Sequence, residues 1–202
     1  MNPKSGLLAM LISATALAGV QESEWQLEQL EGGTRLSIYA DVTWGNQMSI
    51  YVPRGHCAGQ LDFWFATYNA GVLPPYEGQK IPVRFAAVHP SGTDEFNAST
   101  RLAAVLEDPF DLGNTEHMNI AILTVGEIRD VFEFARIVEE RQWTGFQATA
   151  PDDALFDVPH ESWSTDGLST VLRQVPGCQG RTTLDSIPRI GQATQREVAH
   201  NS

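Results

Sequence analysis

The sequence predicts a mainly β fold with two helices (α+β), an antiparallel sandwich or barrel-like sheet stapled by one disulfide. Three observations point there. Apolar/polar alternation recurs at spacings of about ten residues, punctuated by Gly, Pro and Asn. A helical period appears in only two later stretches, near residues 128–142 and 165–175. Two cysteines, Cys57 and Cys178, stand far apart in the chain.

The elements follow in order. Trp25 to Glu31, Gly32-Gly33 and Arg35 to Val42 read as a hairpin, with Leu36, Ile38, Ala40 and Val42 on one face. Met48, Ile50 and Val52 repeat the alternation, and so do Leu61, Phe63 and Phe65. Ile81, Val83, Phe85 and Ala87 form a fourth such segment, where Pro82 marks an edge strand or a strand start. Leu102 to Leu106 and Met118 to Leu123 read as two further strands. Thr124-x-x-Glu127 has the form of a capping box. Ile128, Val131, Phe132, Ala135 and Val138 follow it as one helical stripe running to about Gln142. Trp143 to Ala150 returns to strand character. A shorter helix begins near Thr165, carries Leu168, Val171, Leu172 and Val175, and stops at Pro176-Gly177.

At the N-terminus, Lys4, the uncharged apolar run Gly6 to Val20 and the Ala16-Leu17-Ala18 cleavage pattern read as an export signal. The run is shorter than the roughly 20 apolar residues that span a bilayer. The expected division is a signal peptide over 1–18, a single β-rich exported domain over 19–178 and a C-terminal tail over 179–202. Val20 occupies the place of a lipoprotein's acylated cysteine, so no stable membrane insertion is expected after cleavage. The localisation expected is periplasmic or secreted.

Thirteen Lys+Arg against 25 Asp+Glu give a formal charge of −12. Without a basic cluster there is little to hold phosphate, which argues against nucleic acid as a partner. An even cysteine count in an oxidising compartment reads as a disulfide between Cys57 and Cys178. A nucleophilic Cys57 is the competing reading, but His56 lies on the opposite face of an extended strand.

The layout resembles the type VI secretion-associated periplasmic proteins of the VasI/TagO-like family. The residues that carry the resemblance are the Trp25-led first strand, Cys57 and Val83-Arg84-Phe85. Phe132 and Phe134 follow, then Phe156, Ser164-Thr165-Asp166-Gly167-Leu168, Val171-Leu172 and Cys178. The resemblance implies a β-rich envelope protein whose terminal helix delivers the second cysteine to the first. It implies no catalytic residues. A protein partner in the envelope follows as the expected function, with a secretion-system accessory role.

Candidate chemistry is sparse. His56, His89, His117, His160 and His200 show neither i, i+4 spacing nor an HExxH motif, so no metal site is expected. Glu107 to Glu116 is acidic but lacks the ligand spacing of a calcium-binding loop. No cofactor motif occurs. Ser91 lies between His89 and Asp94, a separation that reads as too short for a triad. Two alternatives to a non-enzymatic binder are a secreted hydrolase using His89, Asp94 and His117, and a carbohydrate-binding module presenting Trp64 and Tyr68.

Overall fold

The computed structural model describes residues 24–41, 43, 45–67, 73–106, 119–150, 156 and 158–178. The segments read as signal peptide and tail, the acidic 107–116 loop, and Tyr68, His117 and His200 lie outside them. The fold class is the expected one: mainly β, antiparallel throughout, with two α-helices.

The strands are β1 (Gln26–Leu30), β2 (Gly33–Tyr39), β3 (Gln47–Pro53), β4 (Gly59–Thr67), β5 (Lys80–His89), β6 (Gly92–Leu106), β7 (Asn119–Ile128), β8 (Gly145–Thr149) and β9 (His160–Ser164). They form one sheet in the order β1-β2-β3-β4-β7-β6-β5-β8-β9. β4 pairs with β7 instead of β5, so β4 to β7 form a Greek key. Helix α1 (Val131–Glu140) joins β7 to β8, and α2 (Leu168–Leu172) follows β9.

One face of this sheet is the core. Leu36, Ile38, Met48, Ile50, Phe63, Phe65, Phe85 and Leu123 alternate inward and are buried. The sheet curls until distant strands touch. Phe63 on β4 stacks on Trp163 of β9, with ring centroids 4.9 Å apart and planes 2° apart, and it meets Phe85 of β5 edge-on at 5.2 Å. Such aromatic pairs contribute beyond their buried area. Helix α1 buries Val131, Phe134, Ala135 and Val138, and Phe134 packs against Trp143 and Phe146. Helix α2 is tied to α1 by Ser169 Oγ donating to the Ala135 carbonyl and by a bidentate Arg173–Glu139 pair.

Three sequence expectations are corrected. The strand read as Leu102 to Leu106 begins ten residues earlier, at Gly92. Its first part pairs with β5 around a turn at Pro90-Ser91, where Gly92 takes φ 149°. Thr124 and Glu127 do not cap a helix, because β7 continues to Ile128 against Gly59 of β4. The helix starts six residues later than the capping box implies, with Asp130 as its N-cap in place of Thr124. There Asp130 accepts from the backbone N–H of Phe132 and Glu133 at 2.8 and 3.1 Å. Finally, β9 stands where no strand was read. Pro82 sits near the start of β5, beyond the stretch Arg84–Val88 that pairs with β8, so its missing N–H costs no ladder bond on that side.

The capping assignment is testable by urea denaturation. Asp130→Ala should cost about 1 kcal/mol of stability, while Glu127→Ala should stay within about 0.5 kcal/mol of the parent.

Candidate functional site

The curled sheet nearly meets itself where β9 approaches the β2–β3 connection. Asp41 N–H donates to the Ser162 carbonyl at 3.0 Å, and the Trp25 indole N–H donates to the Ser164 carbonyl at 2.9 Å. Between them lies a fully buried carboxylate, Glu161, on the core face of β9. Asn46 Nδ2 donates to Glu161 Oε2 at 2.9 Å, and the Ser162 backbone N–H donates to Oε1 at 3.0 Å. Asn46 is a hub. Its Oδ1 accepts from the Ala66 N–H of β4 at 2.7 Å, and its carbonyl accepts from Ala40 N–H at 2.9 Å. Burial and the neighbouring Glu161 charge raise the carboxyl pKa of Asp41, against a hydrogen bond from Ser162. These groups spend their hydrogen bonds holding the seam together.

A second cluster lies at the β5–β6 turn. Ser91 Oγ and His89 Nδ1 share a 2.9 Å hydrogen bond, and His89 Nε2 stands 3.8 Å from Asp94 Oδ1. The three side chains lie close together, but they do not form a hydrogen-bonded line. A tight hairpin pairs His89 with Gly92 and Ala87 with Asp94, which sets the His and Asp side chains on one face. The line is nevertheless incomplete as catalytic machinery: 3.8 Å exceeds hydrogen-bond reach. Asp94 Oδ2 instead accepts the indole N–H of Trp143 at 2.9 Å, tying the turn to the connection between α1 and β8. His117, the third member of the hydrolase reading, lies outside the described residues.

The outer face of the sheet holds the aromatic surface. Trp64 of β4 is half-buried, with the Arg35 guanidinium 5.7 Å above its ring. Arg35 also pairs with Glu28 of β1 at 2.5 Å. Ser37, Ser49 and Asp62 sit opposite one another across β2, β3 and β4 and are buried on this face. Gln60 Nε2 donates to both oxygens of Asp62 at 2.9 and 3.0 Å. Burial pushes the Asp62 carboxyl pKa up, and the Thr124 and Gln60 contacts only partly oppose it.

The cysteines are brought to one place. Cys178 is buried, and its Sγ donates to the His56 carbonyl at 3.0 Å, one peptide unit from Cys57. Both residues are thiols here, and both pack against the same core cluster. The Cys57 carbonyl in turn accepts from Val131 N–H at 2.9 Å, anchoring α1.

One feature is topological and escaped the sequence reading. β1 pairs with β2 on one side only, and no other described strand occupies its outer edge. Among the described residues there is no group of three or more His, Cys, Asp and Glu side chains arranged to hold a metal, and no helix is long and apolar enough to cross a membrane.

Comparison with family models, curated proteins and solved structures gives no match.

The buried Asp62 makes a pH prediction. Between the ordinary carboxyl pKa of 3.8 and its raised value, the folded chain binds more protons than the unfolded one. The stability contributed by this group therefore falls as pH rises through that window. Asp62→Asn, which carries no charge to bury, should be more stable than the parent at pH 7. The gap should close in denaturation curves taken towards pH 4.

Proposed function

We propose that the protein is an exported, non-enzymatic envelope protein that binds another protein, as an accessory factor of a secretion system. The observation that carries this reading is the outer edge of β1, a strand with one pairing partner among the described residues. An exposed strand edge is a ready template for another chain, and folds that keep one usually use it or block it. No proline blocks Gln26–Leu30, and no described bulge interrupts its register with β2.

The reactive-looking groups favour the same reading. Glu161 is held by Asn46, Asp94 by the Trp143 indole, and Glu28 by Arg35. The hydrolase reading has less support, since its His89–Asp94 contact is long and His89 engages Ser91 instead. The carbohydrate-binding reading is weakened because Arg35 lies over the Trp64 ring face on which a sugar would stack.

Export and the disulfide belong to the same proposal. The Cys178 sulfur lies one peptide unit from Cys57, which supports their pairing in an oxidising compartment. The type VI secretion-associated resemblance implies the same pair.

Affinity capture of the tagged mature protein from its native envelope tests the binding reading, which a failure to retain any protein partner would contradict. The export proposal is checked by intact mass under non-reducing conditions. The chain should begin within a residue or two of Gly19 and weigh two hydrogens less than its reduced form. Cys178→Ser should then cost about 2–5 kcal/mol of stability; retained Lys4 or two alkylatable thiols would contradict it.

A further inference from the structure

We propose that the outer edge of β1 receives an extended segment of a basic partner protein, added antiparallel or parallel as a further strand, with Lys or Arg side chains meeting the acidic residues along that edge. This deepens the protein-binding reading and rests on it.

The two ends of the sheet differ. The β9 end is stitched to the β2–β3 connection through Ser162 and Asp41. β1 has no such stitch along Gln26–Leu30: its pairing to β2 satisfies one side of the strand. In an antiparallel ladder alternate residues direct their N–H and C=O groups away from the existing partner. Leu27 packs against the core cluster and anchors the strand, while Gln26 and Gln29 are exposed. The strand is therefore anchored by the fold, with the Gln26 and Gln29 side chains at the surface.

Charge selects the occupant. Glu24, Glu28 and Glu31 lie on or beside β1, and Glu24 and Glu31 are exposed with no ion pair among the described residues. The whole chain carries −12, which steers basic partners towards it and repels acidic ones. A second copy of this chain fits poorly. It would bring the exposed Glu24 and Glu31 of both copies, and two chains of like net charge, to one edge. A strand with Lys or Arg beside Glu24 and Glu31 turns the same edge into an attractive one. Acidic side chains on an edge are also a device against self-association, so the edge excludes its own kind while staying open to a partner of opposite charge.

The test uses the full-length mature chain and three fluorescent peptides: alternating Val and Lys, alternating Val and Glu, and the Val/Lys peptide with a central Pro. Binding is read by anisotropy and by hydrogen exchange at β1. The Val/Lys peptide should bind, slow exchange in Gln26–Leu30, and exceed the other two by at least about tenfold in affinity. The double variant Glu24→Lys/Glu31→Lys, which touches no described ion pair, should lose about tenfold for Val/Lys and gain for Val/Glu. Gln29→Pro should abolish binding with the thermal transition retained; should that variant fail to fold, the charge-reversal pair still decides.

Equal binding of Val/Lys and Val/Glu, or binding with no protection at β1, would overturn the proposal. So would β1 protection in the unliganded chain that disappears when the chain ends at Cys178, because that assigns the edge to the chain's own residues. If envelope capture still retrieves a protein with Gln29→Pro, the edge proposal fails and the binding reading stands. If the parent chain retrieves none and binds no peptide, both fall.

Discussion

The fold depends on a buried amide–carboxylate contact between Asn46 and Glu161. An antiparallel sheet of nine strands has two edges, and curling it does not by itself fix where they meet. Glu161 sits on the core face of β9 with no solvent exposure, a position that is costly for a carboxylate unless its oxygens are hydrogen-bonded. Asn46 Nδ2 and the Ser162 N–H supply those bonds, and Asn46 Oδ1 is fixed by the Ala66 N–H of β4. A polar pair at such a site adds little net stability but imposes position, because a slipped β9 would take the buried Glu161 away from the Asn46 amide. The stacking of Trp163 on Phe63 follows from that placement, since Trp163 is two residues along the same face.

The same contact explains where the sequence was opaque. Alternation identified β2 to β5 because their core-facing positions are apolar, as at Leu36, Met48, Phe63 and Val83. In β9 the core-facing residues are Glu161 and Trp163, so the pattern shows a charge where a strand should show an apolar residue. The first part of β6 was hidden likewise, with Asp94 beside Phe96 on the inner face and held there by the Trp143 indole. The helix start moved because Asp130 is as good a cap as Thr124, and the ladder of β7 with β4 claims the residues before it. Local pattern cannot weigh a cap against a strand pairing whose partner lies more than sixty residues away.

The candidate site was legible in proportion to how local it is. The cysteines could be paired from their number and expected compartment, and the fold brings Cys178 to the residue before Cys57. Trp64 was placed on the right face, but its Arg35 cover comes from a strand two places away in the sheet. The open edge of β1 could not be read at all. Alternation says that a segment is a strand and which of its faces is buried; strand order alone says which strand ends the sheet. Here the order runs β4-β7-β6-β5, so β4 and β5, consecutive in the sequence, lie three places apart in the sheet.

Strand-edge recognition requires that β1 be fixed by the rest of the sheet, and the sheet is fixed by its seam. Trp25, immediately before β1, is hydrogen-bonded to the end of β9, so the seam reaches the start of β1. The most direct measurement is a double-mutant cycle on Asn46→Ala and Glu161→Gln, with unfolding free energies from denaturant curves and hydrogen exchange at β9. The account predicts that Asn46→Ala alone is destabilising, by about 1.5–3 kcal/mol, because it removes a buried hydrogen bond to the Glu161 carboxylate. In the Glu161→Gln background the same change should cost markedly less, with a coupling energy of at least about 1 kcal/mol, and the single variant should release β9 amides ahead of β3 and β4. Additive effects within about 0.5 kcal/mol, with β9 as protected as the rest of the sheet, would contradict it.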